Sequence, residues 1–195
     1  MIRIGILGDI GSGKSHVARN FGYPVFNADF EVSKLYKKDK KIFLKLKKIL
    51  PKYIYSFPID KKELLNAILS CNSNLKKIIK VVHKEIRKKL IIFLKKNKNK
   101  KIVILDIPLL LENKINKKKD ILVYVDSKSK DITKNLKKRE IYNPKLLKKF
   151  KELQLPLDYK RKISKYILKN KFTKKSVKFA VKEILKKINN ERNSS

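Results

Sequence analysis

Residues 5–16 read GILGDIGSGKSH and contain four of the five glycines in this 195-residue chain. Glycine adopts backbone conformations that other residues avoid, so a cluster of glycines marks a place where the main chain turns sharply or approaches a ligand closely. The apolar run IRIGIL at residues 2–7 precedes the cluster and indicates a buried strand, and KSHVARNF at residues 14–21 begins a helix. The stretch therefore predicts a strand, a glycine-rich loop and a helix in direct succession.

The glycine-rich loop matches a known phosphate-binding pattern. Residues 8–15, GDIGSGKS, fit G-x-x-x-x-G-K-[ST] in full. Backbone N–H groups of such a loop surround phosphate oxygens, and the start of the following helix adds partial positive charge. We expect Lys14 to reach the β- and γ-phosphates of a nucleoside triphosphate and Ser15 to place its hydroxyl group on Mg²⁺. The other predicted phosphate contacts in this stretch are Gly8, Gly11, Ser12, Gly13 and His16.

Apolar runs of strand length recur along the chain and alternate with helical patterns. These runs lie at residues 2–7, 23–29, 101–110, 120–126 and 165–170. Between the second and third runs the periodicity is helical, and a last amphipathic helix is expected over residues 174–189. Strands that alternate with helices are typical of an α/β fold, so we predict a parallel five-stranded sheet flanked by helices.

Three aspartates lie in the predicted strands, toward the sheet edge that also carries the glycine-rich loop: Asp29, Asp106 and Asp126. Active sites of parallel sheets lie at the carboxyl ends of the strands, so these residues are candidates for function. Asp29 is either the base that receives the proton of an acceptor hydroxyl group or an N-cap of the next helix. Asp106 is either a magnesium ligand through water or a hydrogen-bonding residue at the strand end. The sequence assigns no role to Asp126.

The formal net charge is +36, from 53 lysine and arginine residues spread along the whole chain. Such a charge attracts polyanions non-specifically and steers small anionic substrates. We predict no specific nucleic-acid partner, since the sequence has no zinc-finger spacing, RNA-recognition signature or basic zipper. No apolar run is long enough to span a membrane, so we predict no membrane partner. The single cysteine, Cys71, favours a reducing, cytoplasmic location.

The phosphate-binding pattern alone leaves several classes of protein open. A switch GTPase would carry the guanine-reading pattern N-K-x-D, which the sequence lacks, and a motor or helicase ATPase is normally longer. A small chain with a helical insertion after its second strand indicates a nucleoside or nucleotide kinase. The competing hypothesis from a different class is a P-loop nucleic-acid-binding ATPase, which only the positive charge favours.

The segment VILDIPLLLEN contains Asp106, Pro108, Leu109, Leu110 and Glu112. These residues match the pattern Asp-x-Pro-Leu-Leu-x-Glu of the dephospho-CoA kinase family, which the sequence resembles from residue 3 to about residue 170. GYPVFNAD resembles the family's second-strand segment, with Asp29 at its second aspartate and Asn27 in place of its first. The other similar segments, in chain order, are IGILGDIGSGKS, FPIDKKEL, VVHKEIRKKL, LKKRE, LQLPLDYKRK and KYILKN.

This resemblance implies the reaction: ATP, with Mg²⁺, phosphorylates the 3′-hydroxyl group of dephospho-CoA to give CoA and ADP, the last step of coenzyme A biosynthesis. It implies catalytic roles for Lys14, Asp29 and Arg139. It places Asn170 at the adenine of ATP and Arg139 at its phosphates. The implied dephospho-CoA contacts are Asp29, His83, Arg87, Asp106 and Pro108, and the implied metal ligands are Ser15 and Asp106. For His83, a hydrogen-bonded structural histidine is the alternative interpretation.

The resemblance also organises the chain into one kinase domain. Its core is expected over residues 1–29, 101–138 and 165–190, with a helical dephospho-CoA-side insertion over about residues 30–97. A lid over about residues 139–162 would close on ATP and exclude water. Lys160 is a possible second phosphate contact from the lid. Asn135 and Phe150 are departures, because the family commonly has arginines at these positions.

Overall fold

The computed structural model describes residues 1–138 and 142–193 and divides the chain into two compact units. The first, called the α/β unit here, comprises Met1–Asn27, Asn97–Tyr142 and Leu153–Ser195. The second, called the helical unit, comprises Ala28–Lys96 and Asn143–Glu152. In the described part of the chain, no helix is both long enough and apolar enough to cross a bilayer.

A parallel sheet forms the centre of the α/β unit and confirms the predicted fold class. Its strands are β1 (Ile2–Gly8), β2 (Val25–Asn27), β3 (Ile102–Asp106), β4 (Ile121–Asp126) and β5 (Tyr166–Lys169). They lie in the order β2-β3-β1-β4-β5, and every neighbouring pair is parallel. The glycine-rich loop leaves the central strand β1, so the ends of β3 and β4 lie on its two sides.

The helices follow the strands as an α/β pattern requires. They are α1 (Lys14–Asn20), α2 (Ala28–Lys38), α3 (Lys40–Ile49), α4 (Lys61–Ser70), α5 (Asn72–Lys96), α6 (Ser129–Lys137), α7 (Pro144–Glu152), α8 (Leu157–Lys162) and α9 (Lys174–Asn193). α1 and α9 pack together over the sheet. Their buried residues join those of the strands in one core cluster: Val17, Ala18, Val177, Val181, Ile184 and Ile188.

The helical unit is organised by α5, which packs against α2, α3 and α4. The buried apolar residues of α5 recur every three or four positions, as one face of a helix requires. They are Leu75, Ile78, Val82, Ile86 and Leu90. Asp39 begins α3 as an N-cap and accepts a hydrogen bond from the backbone N–H of Ile42, and Asp60 does the same for α4 through the N–H of Lys62.

Two predicted strands are shorter in the structure than the sequence indicated. β2 ends at Asn27, because the register pairs Asn27 with Asp106, the last residue of its partner β3. α2 then begins at Ala28, so Asp29 lies in the first turn of a helix instead of closing a strand. β3 stops at Asp106 although the apolar run continues, since Pro108 has no N–H to donate to a sheet.

Candidate active site

The phosphate loop, residues 8–15, depends on glycine for its backbone conformation. φ is 142° at Gly8 and 87° at both Gly11 and Gly13, a region that favours glycine. Space is also limiting, because a Cβ atom at Gly13 would lie 2.4 Å from Nδ2 of Asn170. A Cβ atom at Gly11 would lie 2.7 Å from Cγ of Leu136 in α6. Side chains of the α/β unit therefore lie too close to Gly11 and Gly13 for a residue with a Cβ atom to fit without a shift.

Lys14 lies back over its own loop. Its Nζ donates hydrogen bonds to the carbonyl oxygens of Gly8 at 3.1 Å and Asp9 at 2.7 Å. These contacts hold the ammonium group at the loop, where it can exchange carbonyl oxygens for phosphate oxygens. The Asp9 carboxylate accepts a hydrogen bond from the next residue, through the N–H of Ile10 at 2.6 Å. The acid in the loop is thus turned toward its own main chain.

Two other predicted contacts of the loop, Ser15 and His16, lie in the first turn of α1 and are partly buried. The first backbone N–H groups of a helix have no carbonyl partner within the helix, so they can meet phosphate oxygens. Asn20, one turn later, donates from Nδ2 to the backbone oxygen of His16 at 2.8 Å.

Residues distant in sequence hold the carbonyl groups of the loop. The carbonyl oxygen of Ser12 accepts hydrogen bonds from Oγ of Ser127 and Nδ2 of Asn170, each at 2.9 Å. The carbonyl oxygen of Gly11 accepts one from Nδ2 of Asn135, also at 2.9 Å. Sequence reasoning missed Ser127, whose only signal was its place directly after a strand. It noted Asn135 only as a departure from the family.

Asp106 lies at the carboxyl end of β3 and is 3% exposed. Its Oδ2 accepts a hydrogen bond from Nδ2 of Asn27 at the end of β2. The amide thereby fixes the orientation of the buried carboxylate. Asp126 ends β4, and its carboxylate forms an ion pair with Arg161 at 3.1 Å. The side chains of these two aspartates therefore have different partners, although each is the last residue of its strand.

Glu112 and Lys160 form a buried ion pair that joins two segments of the α/β unit. Lys160 Nζ lies 2.6 Å from Oε1 of Glu112, and the two side chains are 4% and 11% exposed. The same carboxylate oxygen accepts a hydrogen bond from the backbone N–H of Leu155 at 2.9 Å. The sequence suggested Lys160 as a possible phosphate contact, but in the structure its ammonium group is paired with a carboxylate. Pro108, four residues before Glu112, is exposed.

Three predicted site residues belong to the helical unit. Asp29 is exposed in the first turn of α2, and Arg87 is exposed on α5. His83 is partly buried one turn before Arg87. Burial, and secondly the positive charge of Arg87, lowers the pKa of His83 below its usual range. Arg139, the predicted lid contact, lies outside the described residues.

Comparison with known proteins extends these observations. A model of the dephospho-CoA kinase family matches residues 2–175. The dephospho-CoA kinase of Wolbachia sp. subsp. Brugia malayi (strain TRS) is 35% identical over 187 residues, which cover 93% of this chain and 95% of that protein. The dephospho-CoA kinase of Wolbachia pipientis wMel is 35% identical over 191 residues, covering 95% and 97%.

Solved structures agree in fold. A crystal structure from Thermus thermophilus has a TM-score of 0.74 at 28% identity and covers 95% of this chain and 97% of that one. A dephospho-CoA kinase from Campylobacter jejuni has a TM-score of 0.62 at 19% identity, covering 95% and 96%, which shows the shared fold. With a phosphate loop on the central strand and a family match over most of its length, the chain belongs to the dephospho-CoA kinase family.

Proposed function

We propose that the protein transfers the γ-phosphoryl group of ATP to the 3′-hydroxyl group of dephospho-CoA, giving CoA and ADP. The observation that carries this proposal is the complete phosphate loop on β1 in a chain that matches the dephospho-CoA kinase family over residues 2–175. Phosphoryl transfer requires positioning and charge stabilisation, with little covalent chemistry from the protein. The residues of this chain are therefore assigned to those two tasks.

The phosphate loop is assigned to the triphosphate of ATP. Its glycines bring the main chain close to the phosphate oxygens, and the N–H groups of Ser15 and His16 lie at the open start of α1. Lys14 Nζ, which now donates to two loop carbonyl oxygens, would turn to the β- and γ-phosphates. Positive charge there stabilises the negative charge that develops on the transferred group.

A magnesium ion fits the residues beside the loop. Asp106 supplies a buried, oriented carboxylate and Ser15 a hydroxyl group, and oxygen atoms are the ligands that Mg²⁺ prefers. Among the described residues, no three His, Cys, Asp or Glu side chains are grouped to hold a metal ion. Mg²⁺ in phosphate-transferring enzymes takes one or two protein ligands together with substrate phosphates and water. When bound, the ion would neutralise charge on the β- and γ-phosphates.

The proposed dephospho-CoA contacts are Asp29, His83 and Arg87 of the helical unit, and Asp106 and Pro108 of the α/β unit. The exposed carboxylate of Asp29 is proposed to orient the 3′-hydroxyl group and receive its proton. Arg87, exposed on α5, supplies positive charge for the phosphates of dephospho-CoA, and His83 lies one turn away on the same helix. Arg139 is proposed to contact the ATP phosphates from a lid over about residues 139–162.

The cell compartment is proposed from the cysteine content of the chain. Cys71 is an exposed free thiol and the single cysteine of the chain. Free thiols persist in a reducing environment, so we assign the protein to the cytoplasm, where ATP is available.

An acceptor assay tests the proposed function. ADP formation is measured with ATP and Mg²⁺ in the presence of dephospho-CoA, nucleoside monophosphates or single-stranded DNA. We expect dephospho-CoA alone to accelerate ADP formation strongly. Acceleration by a nucleoside monophosphate would indicate a kinase with another acceptor. Acceleration by single-stranded DNA would indicate a nucleic-acid-dependent ATPase, and either result would overturn the proposal.

A further inference from the structure

The carbonyl group of Ser12 is held from two directions by the α/β unit. Its oxygen accepts one hydrogen bond from Oγ of Ser127 and another from Nδ2 of Asn170, both at 2.9 Å. Ser127 directly follows β4 and Asn170 directly follows β5, so both donors lie next to the carboxyl ends of strands. A carbonyl oxygen has two lone pairs, and here each has a donor.

The orientation of the Asn170 side chain is determined by its other partners. Asn170 is 3% exposed, and its Oδ1 accepts a hydrogen bond from the backbone N–H of Phe172 at 2.8 Å. Exchanging Oδ1 and Nδ2 would place an oxygen against the Ser12 oxygen and an amide group against the Phe172 N–H. The backbone N–H of Asn170 also donates to the oxygen of Asp126 at 2.7 Å. The residue is therefore anchored to β4 as well as to the loop.

The direction of a carbonyl group also fixes the direction of the next N–H group. In a planar trans peptide the C=O of one residue and the N–H of the following residue point in opposite directions. Because Ser127 and Asn170 hold the Ser12 oxygen, the N–H of Gly13 points away from both of them. Gly13 belongs to the run of loop amides that can form a concave anion site. Its φ of 87° keeps it in the left-handed conformation such sites use.

We propose that Ser127 and Asn170 form a carbonyl clamp, a pair of positioning residues that aims the Gly13 amide at the phosphate chain of the nucleotide. This inference rests on the proposed function only in that the loop binds a triphosphate. It changes the expected role of Asn170, which acts on the phosphate end of ATP instead of its adenine. The acceptor oxygen and one donor hydrogen of its amide are already engaged within the chain.

Binding of a phosphate chain without adenine tests the clamp. Calorimetric titrations with Mg²⁺-tripolyphosphate and with Mg²⁺-ADP are compared for the parent protein, Ser127→Ala, Ser127→Thr and Asn170→Ala. We expect Ser127→Ala to weaken the binding of both ligands by about threefold and Asn170→Ala by about tenfold, the range expected when one hydrogen bond to the Ser12 oxygen is lost. Ser127→Thr keeps the hydroxyl group and should bind both ligands like the parent protein.

Ser164→Ala is the matched control, because it removes a serine hydroxyl that donates to the backbone oxygen of Lys160 at 2.7 Å and not to the loop. It should leave both affinities unchanged. The proposal is overturned if Ser127→Ala and Asn170→Ala leave tripolyphosphate binding unchanged, or if Ser164→Ala weakens that binding equally. It is also overturned if Asn170→Ala weakens the binding of ADP but not of tripolyphosphate, which would indicate an adenine contact. If Asn170→Ala does not fold, the Ser127 pair decides the question.

The same titrations separate this inference from the proposed function. Tripolyphosphate binding needs no acceptor. If dephospho-CoA does not accelerate ADP formation but the variants show the expected losses of affinity, the proposed acceptor is wrong and the carbonyl clamp is still supported. A parent protein that binds neither tripolyphosphate nor ADP would refute both.

Discussion

The candidate site residues of the two units differ in kind. The α/β unit contains all five glycines, and its phosphate loop is held by hydrogen bonds to backbone carbonyl groups. The helical unit contains no glycine, and its site candidates are side chains on α2 and α5. Its ion pair between Lys34 and Glu31 joins residues one turn apart on α2. We therefore expect triphosphate binding to depend mainly on main-chain conformation and acceptor binding mainly on side-chain identity.

The largest expected effect belongs to the loop lysine. Lys14→Ala should lower kcat/KM by about 10³-fold, because it removes positive charge aimed at the transferred phosphoryl group. The matched control, Lys45→Ala in the helical unit, removes an exposed ammonium 3.6 Å from Glu85 and should leave kcat/KM within about twofold. Steady-state kinetics with dephospho-CoA measures both. Equal losses of kcat/KM in the two variants would contradict the assignment of triphosphate binding to the α/β unit.

The buried ion pair of the α/β unit should matter more for stability than exposed pairs do. Lys160→Ala leaves the Glu112 carboxylate buried without its cation, so we expect a loss of about 3 kcal/mol in the free energy of unfolding. Lys165→Ala breaks an exposed pair with Glu191 and should leave the free energy of unfolding nearly unchanged. Urea denaturation measures both values. A loss of the same size in both variants would contradict this ranking.

A substitution of Asp29, the predicted base, should lower turnover without changing the affinity for ADP. Asp29→Asn keeps the size of the side chain and removes its basicity, so kcat should fall by about 10²-fold. The affinity for ADP, measured by calorimetry, should stay unchanged, since ADP binding is assigned to the other unit. Asp39→Asn is the control, because asparagine also caps a helix and α3 should remain intact. Near-normal kcat in Asp29→Asn would show that Asp29 is structural.

The smallest expected effect is a pH dependence from His83. Its pKa is lowered in the folded state, so between that value and its ordinary value the unfolded chain binds more protons. Stability contributed by the neutral side chain is present above about pH 6.5 and is lost as the pH falls through the folded pKa. Urea denaturation between pH 8 and pH 5 should show a smaller decline for His83→Gln than for the parent protein. If the free energy of unfolding declined equally in His83→Gln and in the parent protein, the buried His83 would not be a source of the pH dependence.

Local features made the α/β fold predictable. The strand, loop and helix around residues 2–21 follow from apolar runs, glycine placement and a fixed spacing, all of which lie within a short window. The order of the strands could not be predicted, because it depends on pairing between segments distant in sequence. The end of β2 was misplaced for the same reason, since its partner strand determines where pairing stops. α8, with six residues, is too short to give a periodic signal.

The sequence singled out candidate site residues that belong to a motif and missed a residue that stands alone. Lys14 and Ser15 occupy fixed positions in a pattern, so the sequence placed them. Ser127 is an isolated serine, and only the three-dimensional approach of β4 to the loop reveals its hydrogen bond. Asn170 was selected by resemblance, but its two side-chain hydrogen bonds are visible only in the structure.

The position of the transferred phosphate tests the account most directly. The protein is incubated with dephospho-CoA, Mg²⁺ and ATP labelled at the γ-phosphate, and the label in the product is located by selective removal of 3′-phosphate. The account predicts that the label enters CoA and is released completely by this treatment, and that Lys14→Ala transfers almost none. Label found only in inorganic phosphate, or on another position of the acceptor, would contradict it.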